Sequence, residues 1–252
     1  MTHKLLILGG TAEAIDLADQ AVACFGAALE VTSALAGRTQ APRLPAGRIR
    51  TGGFGGVDGL VAFLRGERID LLIDATHPFA ATISRHAAEA CSNAGVPRLV
   101  LGRPSWRMVP GDRWRFVSGN DAATEAIVEL DAHRVFLTIG GRGLKPFGQL
   151  VDRFFLVRMI EKPPAPLPLP DYRLVLAHPP FSVDAERTLM EAMRIDLLVS
   201  RASGGLATES KLIAARDLGL PVVLIERPAP PPGETVESVE AALGWLEAWL
   251  AR

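Results

Sequence analysis

Short apolar runs alternate along the chain with segments of helical periodicity. The apolar runs are predicted strands, at residues 4–8, 29–33, 71–74, 98–101, 134–139, 154–159, 173–177, 196–200 and 221–225. A helix is predicted to begin at Ala12, others fall between the remaining early strands, and later ones are predicted at residues 121–130, 184–193, 208–218 and 236–250. Strands of this composition, alternating with helices, are typical of parallel sheets buried on both faces. The pattern therefore predicts an α/β fold.

A proline-containing stretch interrupts this alternation near the middle of the chain. Residues 104–112 contain two prolines, a glycine and Trp106. Such composition is typical of a crossing between domains, so we expect one domain at residues 1–108 and a second at residues 109–252. Two further proline-rich pieces, at residues 163–170 and 228–233, are predicted to be extended connectors.

The composition and net charge of the chain limit the classes of molecule that it is expected to bind. The 252 residues are 48% hydrophobic with a net charge of -1, and no run of Lys or Arg exceeds two residues. Nucleic acid and anionic membranes are therefore not expected partners, and a small-molecule ligand is favoured. No apolar run approaches the length of about 20 residues that spans a membrane, and no signal segment is recognised, so we expect a cytoplasmic protein. The two cysteines lie in no metal-binding motif, and no metal site is expected.

The opening strand is followed by a candidate phosphate-binding turn. Gly9, Gly10 and Thr11 come directly after the apolar run, and the helix predicted from Ala12 would direct its free N–H groups at that turn. A pyrophosphate would fit there. The G-x-G-x-x-G spacing is absent, so a structural corner with Thr11 as the helix N-cap is the alternative.

The end of the second predicted strand bears on the choice of coenzyme. Enzymes that use NAD usually place an acidic residue there, whereas this chain has Ser33 and then Arg38. A hydroxyl and a guanidinium suit a 2′-phosphate, which favours NADP over NAD. An ordinary surface arginine is the alternative interpretation of Arg38.

Two further loops of the N-terminal half carry candidate chemistry. The glycine-rich loop around Gly53 leaves clearance for a flat ligand, although bulges and bends need the same clearance. Asp74, Thr76 and His77 follow a buried strand at the edge where ligands of open α/β sheets bind. His77 is a candidate proton donor, or a loop residue that hydrogen-bonds the backbone.

Arginine recurs at the ends of four predicted strands, as Arg103, Arg142, Arg201 and Arg227. If these ends share one edge of a parallel sheet, several cations converge on the ligand crevice of a nearly neutral protein. The pattern predicts an anionic ligand. Solvated loop arginines are the alternative.

A second Gly-Gly turn follows the strand that ends near Arg201. Ser203 and Gly204 lie in this turn, and Lys211 falls in the first turn of the next predicted helix. A cation is unfavourable at a helix N-terminus, so a bound anion would explain Lys211 better than helix stability does. A lysine that extends into water is the alternative.

The segments ILGGTAEA, DATHPFA, TIGGRGL and SRASGG..TESKLIAARDLGLPVVLIERP occur in this order. In this combination the chain resembles, over nearly its full length, the precorrin-6A reductase family of cobalamin biosynthesis. The resemblance implies two Rossmann-like parallel-sheet domains with a ligand cleft between them. It also implies that NADPH reduces a tetrapyrrole, precorrin-6A, to its dihydro product, precorrin-6B.

The resemblance assigns the two domains to two ligands. It implies that residues 1–108 bind NADP, which agrees with the coenzyme contacts proposed at Gly9, Gly10, Thr11, Ser33, Arg38, Gly53 and Thr76. It implies that residues 109–252 bind the polycarboxylate tetrapyrrole, which gives a reason for the candidate contacts Arg142, Arg201, Ser203, Gly204 and Lys211.

Asp74 and His77 are candidate catalytic residues that would shape the nicotinamide end of the cleft. Substrate hand-off to other enzymes of the pathway is a further expectation. Another NADP-dependent reductase and a non-catalytic dinucleotide sensor remain alternative functions.

Overall fold

The computed structural model describes residues 2–37 and 43–251, and the chain divides into two compact units. The first unit combines Met1–Arg103 with Pro228–Arg252, and the second unit is Pro104–Arg227. The chain therefore leaves the first unit, forms the second, and returns to the first.

Within the described residues the chain forms twelve strands and seven α-helices. The strands are β1 (His3–Leu8), β2 (Leu29–Leu35), β3 (Arg48–Thr51), β4 (Leu71–Asp74), β5 (Arg98–Leu101), β6 (Trp114–Val117), β7 (Arg134–Thr138), β8 (Phe154–Met159), β9 (Tyr172–Leu176), β10 (Leu197–Arg201), β11 (Val222–Ile225) and β12 (Glu234–Val236). The helices are α1 (Ala12–Phe25), α2 (Val57–Gly66), α3 (Ala81–Ala94), α4 (Asn120–Glu129), α5 (Val183–Ala192), α6 (Ser210–Asp217) and α7 (Val239–Leu250).

Each unit contains one sheet, and all the described strand pairs are parallel. The strand order is β12-β5-β4-β1-β2-β3 in the first unit and β6-β11-β10-β7-β8-β9 in the second. Read from β3 and from β9, five strands of each sheet follow the 3-2-1-4-5 part of the 3-2-1-4-5-6 order of doubly wound dinucleotide-binding sheets. The sixth position is filled by β12 in the first sheet, from the segment that returns to that unit, and by β6 in the second sheet, the first strand of its unit. The predicted α/β fold of two parallel sheets is confirmed.

The predicted domain limits need correction. The prediction placed one boundary after residue 108 and assigned residues 109–252 to one domain, whereas the chain crosses after Arg103 and residues 228–252 belong to the first unit. In that unit β12 pairs with β5, and Ala242 and Leu246 of α7 lie in the core. The short strand β12 has no apolar run, so the sequence pattern does not signal the return of the chain.

The predicted central strands agree closely with the structure. The observed bounds of β4, β5 and β8 equal the predicted ones. Each of the other predicted strands begins and ends within two residues of its observed bounds. The strands that the pattern did not delimit are β3, β6 and β12, which lie at the outer edges of the two sheets. Their residues are largely exposed, so they lack the continuous apolar run that marks a buried strand.

The first unit packs helices on both faces of its sheet. Leu5, Ile7 and Val31 point to the face covered by α1 and α7, and Leu6 and Leu8 point to the face covered by α2 and α3. This alternation follows from the two-residue period of a strand. The four consecutive apolar residues 5–8 of β1 are therefore all buried, as the sequence pattern indicates.

The second unit has a similar core. Phe136, Leu156, Leu198 and Leu224, from four neighbouring strands, pack with residues of α5 and α6. No helix in the part of the chain that the structure describes is long and apolar enough to cross a membrane.

Candidate functional site

The turn after β1 is both a helix cap and an open surface. The Thr11 Oγ1 accepts a hydrogen bond from the Ala14 N–H at 3.1 Å and donates one to the Ala75 carbonyl at 2.9 Å. Gly10 has a φ of 108°, and among the described residues, its two chain neighbours aside, no heavy atom lies within 4 Å of the position that a Cβ would occupy there. The N-cap interpretation of Thr11 is therefore confirmed, and the backbone beside Gly10 stays accessible.

The bond between Thr11 and Ala75 joins the loops that follow β1 and β4. These two strands are neighbours at the point where the strand order of the first sheet reverses. In doubly wound sheets, ligands bind at this switch point, at the carboxyl ends of the strands. The opening turn thus lies at the expected ligand edge of the first unit.

Asp74 orders the start of the loop after β4. Its side chain is 2% exposed, and Oδ1 accepts hydrogen bonds from the Thr76 N–H at 3.1 Å and the Thr76 Oγ1 at 2.7 Å. The Thr76 hydroxyl also lies 3.2 Å from the Ser84 hydroxyl. Asp74 Oδ2 is buried and has no hydrogen-bond partner among the described residues. This geometry gives Asp74 a positioning role toward Thr76.

His77 is bound to the backbone of its own loop. Its Nδ1 accepts a hydrogen bond from the Phe79 N–H at 3.2 Å, and its carbonyl accepts one from the Ala80 N–H at 2.7 Å. Because Nδ1 accepts, a neutral ring carries its proton on Nε2. The structure contains the backbone interaction that the sequence left open, and the proton-donor role of His77 stays a prediction.

The end of β2 is described only in part. Ser33 is 1% exposed, and its hydroxyl has no hydrogen-bond partner within residues 2–37 and 43–251. Arg38 lies outside the described residues. The predicted coenzyme contacts of both residues stay predictions.

The glycine loop after β3 surrounds an arginine that the sequence analysis did not select. The Arg50 Nη1 donates a hydrogen bond to the Gly52 carbonyl at 2.6 Å, and Nη2 donates one to the Gly53 carbonyl at 2.8 Å. The guanidinium also lies 4.0 Å from the ring centroid of Phe54. Arg50 lies in the short edge strand β3, and in the sequence it could not be distinguished from an ordinary surface arginine.

In the second unit, Arg142 and Arg201 lie near one another at the switch point. Arg201 ends β10, and Arg142 lies in the first of the two short 3-10 helices that follow the neighbouring strand β7. Burial lowers the pKa of the half-buried Arg201, and the positive charge of Arg142 lowers it further. A half-buried guanidinium near a second, exposed one favours the binding of an anion.

The other two strand-end arginines bind groups of the protein. Arg103 belongs to the first unit, where its Nη2 lies 2.6 Å from Oε2 of Glu13. Arg227 lies in the second unit, where its Nε donates a hydrogen bond to the Ala202 carbonyl at 2.6 Å. The predicted convergence of all four arginines on a ligand stays a prediction.

Gly204 allows the loop after β10 to pack closely against Pro104. It has a φ of 65°, and a Cβ there would lie 2.2 Å from the Pro104 carbonyl oxygen. The neighbouring Gly205 carbonyl accepts a hydrogen bond from the Trp106 Nε1 at 2.9 Å, and Ser203 is 8% exposed. Close packing therefore explains Gly204, while the substrate contacts predicted for Ser203 and Gly204 stay predictions.

Lys211 is buried, so the alternative of a lysine extending into water is wrong. Its side chain is 3% exposed, its Nζ donates a hydrogen bond to the Thr208 carbonyl at 2.5 Å, and it lies 4.8 Å from the ring centroid of Trp106. Burial lowers the pKa of Lys211 to about 7. The Thr208 carbonyl and the Trp106 ring thus lie beside the Lys211 amine, where the sequence analysis expected an anion. The substrate contact of Lys211 stays a prediction.

A buried ion pair lies in the same unit and was missed by the sequence analysis. Arg158 Nη1 lies 2.6 Å from Glu186 Oε1, with side chains 9% and 1% exposed. The guanidinium also lies 3.9 Å from the ring centroid of Phe181. The two charges come from β8 and α5, so their pairing has no local sequence signal.

These features define a doubly wound α/β protein with one candidate ligand edge at a glycine turn and another at two arginines. Residues 4–247 match the family described as precorrin-6x reductase CbiJ/CobK. The chain belongs to the precorrin-6x reductase family, which confirms the family that the sequence motifs indicated.

Individual relatives agree with this assignment. The precorrin-6A reductase of Rhodococcus erythropolis is 46% identical over 244 residues, which cover 96% of this chain and 97% of that protein. A solved structure of CobK precorrin-6A reductase has a TM-score of 0.91 at 43% identity, covering 98% of this chain and 97% of its own. The cobalt-precorrin-6A reductase of Salmonella typhimurium is 27% identical over 261 residues, covering 98% of this chain and 97% of that protein.

Proposed function

We propose that this protein reduces precorrin-6A to its dihydro product, precorrin-6B, with NADPH as the hydride donor. Family membership supports the reaction class. The relative named precorrin-6A reductase is 46% identical, whereas the one named for the cobalt form is 27% identical. This difference favours a cobalt-free macrocycle as the substrate.

The first unit has a site that suits the coenzyme. The backbone N–H groups at the start of α1 would bind the pyrophosphate, and the open space beside Gly10 lets a ligand approach the backbone there. The unpartnered hydroxyl of buried Ser33 lies near the end of β2, where the adenosine ribose binds in sheets of this order. NADPH supplies the hydride when bound. Gly9, Thr11, Arg38, Gly53 and Thr76 are proposed to complete this site.

The proposed substrate is supported mainly by Arg142 and Arg201 of the second unit, which lie near one another. Burial lowers the pKa of Arg201, the nearby positive charge of Arg142 lowers it further, and a bound carboxylate would offset both effects. The macrocycle carries acetate and propionate carboxylates, so it supplies such groups. Ser203, Gly204 and Lys211 are proposed as further contacts of this edge.

The protein contributes mainly by holding and orienting the reactants. Near-attack orientation supplies on the order of 7 kcal/mol in favourable cases. Asp74 fixes Thr76 through two hydrogen bonds, and His77 holds its ring by a bond to the backbone. Both residues are proposed to shape the nicotinamide end of the coenzyme site.

Stopped-flow absorbance at the nicotinamide band tests the proposal directly. Enzyme and NADPH are mixed with precorrin-6A, and NADH serves as the parallel control. We expect rapid oxidation of NADPH with a matching change in the tetrapyrrole spectrum. NADPH binding without oxidation would contradict the reduction of precorrin-6A and leave another substrate or a dinucleotide sensor.

Arg38→Ala tests the coenzyme preference independently of turnover. Loss of a charge-assisted contact to the 2′-phosphate is expected to weaken NADPH binding about 10- to 100-fold and to leave NADH binding nearly unchanged. Fluorescence titration of both coenzymes measures this. Equal losses for both would remove Arg38 from the 2′-phosphate site.

A further inference from the structure

Arg50 is held rigidly at the carboxyl end of an edge strand. Its two Nη atoms donate to the Gly52 and Gly53 carbonyls at 2.6 and 2.8 Å, and its guanidinium lies 4.0 Å from the Phe54 ring centroid. A guanidinium has five N–H donors. The two hydrogen bonds therefore fix the plane of the Arg50 guanidinium and leave its other N–H groups available to a ligand.

The position of Arg50 relates it to the adenosine end of a dinucleotide site. In the sheet register Arg50 pairs with Ala34, near the end of β2, and the Gly52 N–H donates to the Leu35 carbonyl at 2.9 Å. In doubly wound sheets the adenosine ribose lies beyond the end of this second strand, and an arginine nearby accommodates a 2′-phosphate. Arg50 is thus fixed beside the expected position of that phosphate.

The charge of Arg50 also has no counter-ion in the described structure. Within residues 2–37 and 43–251, no carboxylate forms an ion pair with Arg50, and its hydrogen bonds are to neutral carbonyls. Arg48, two residues earlier on the same strand, lies 2.7 Å from Glu30 Oε1 and 3.7 Å from Glu67 Oε2. One arginine of β3 is therefore neutralised by the protein, and the other retains its charge for a ligand.

We propose that Arg50 binds the adenosine 2′-phosphate of NADPH and contributes to the selection of NADPH over NADH. This rests on the proposed use of NADPH. The guanidinium is pre-organised by the glycine loop, so little side-chain entropy is lost when the phosphate binds. The glycine loop then acts as a support for Arg50 in addition to giving clearance.

Calorimetric titration with two adenosine-half probes tests this without turnover. The probes are 2′-phospho-ADP-ribose and ADP-ribose, which differ only in the 2′-phosphate. In Arg50→Gln we expect the affinity for the phosphorylated probe to fall about 10- to 100-fold, with ADP-ribose affinity changed by less than about 2-fold. Arg50→Lys, which retains the charge, is expected to lose less. Arg48→Gln is the matched control and should bind both probes like the wild type.

Any of the following outcomes would overturn the proposal. Equal losses for both probes in Arg50→Gln would show that Arg50 only orders the loop, and unchanged binding of both would show that it has no role. If the wild type itself binds the two probes equally, NADPH preference fails, and the Arg50 proposal fails with it. A wild type that prefers the phosphorylated probe, with Arg50→Gln showing the same preference, would refute Arg50 alone and leave NADPH in place.

Discussion

The two units share the order of five of their six strands but differ in chemistry at the point where that order reverses. In the first unit the loops there are joined by the hydroxyl of Thr11, and the backbone beside Gly10 is open. In the second unit the corresponding loops bring together Arg142 and Arg201. The comparison teaches that topology determines where a ligand binds, while a few loop residues determine which ligand binds.

The interiors of the two units also differ. The second unit buries the Arg158–Glu186 ion pair and the amine of Lys211. In the first unit, the ion pair between Arg103 and Glu13 has side chains 15% and 33% exposed. Water screens a partly exposed pair, so the stability of the second unit should depend more on its charges.

Glu186→Ala is expected to have the largest effect. It leaves the buried Arg158 without its carboxylate partner, and removal of one member of a buried pair costs about 3 to 5 kcal/mol of unfolding free energy. Urea denaturation followed by circular dichroism measures the loss. Glu129→Ala, which removes the exposed partner of Arg115, is the control and should leave the midpoint nearly unchanged. Equal midpoints for the two variants would contradict the difference between buried and exposed pairs.

Arg201→Ala tests the arginine edge of the second unit. Loss of a charge-assisted bond to a substrate carboxylate should raise the KM for precorrin-6A about 10- to 100-fold, while the Kd for NADPH stays unchanged. Steady-state kinetics and coenzyme titration separate the two. Arg115→Ala removes a surface arginine of the same unit as the control. A parallel loss of NADPH affinity would mean that the two edges do not serve separate ligands.

Lys211 predicts a pH dependence of stability in the second unit. Its pKa is about 7 in the folded protein against an ordinary value of 10.5, so the unfolded chain binds more protons between these values. Stability should therefore rise with pH through this window, by about 2 kcal/mol between pH 7 and pH 9. Urea denaturation at several pH values measures the slope. Lys211→Met should remove this rise, whereas the exposed-site control Lys145→Met should retain it.

Thr11→Val should have the smallest effect on stability. The substitution removes the N-cap of α1 and the bond to Ala75, at a cost of about 1 to 2 kcal/mol, and should also weaken NADPH binding. Ser182→Ala removes the N-cap of α5 in the second unit and serves as the control, with a cost of about 1 kcal/mol. Coenzyme titration distinguishes them, because the control should bind NADPH normally. Normal binding by Thr11→Val would contradict the role of the opening turn.

Much of this architecture was predictable from the chain. Buried central strands consist of continuous apolar runs, so β4, β5 and β8 could be delimited from the pattern alone. The glycine turn at Gly9 and Gly10 and the arginines near the ends of β7 and β10 were also identified, because turns and strand ends have local signals. The motifs likewise indicated the family that the comparisons confirmed.

The sequence by itself thus determined the central strands, the turns between them and the family. The tertiary structure decided which sheet each outer strand joins, since β6 and β12 are short and exposed and have no apolar run. It also decided which charges are paired or buried: Glu13 pairs with Arg103, Glu186 pairs with Arg158, and burial lowers the pKa of Lys211 to about 7. The physical reason is that strand propensity is local, whereas burial and ion pairing depend on residues brought together from distant parts of the chain.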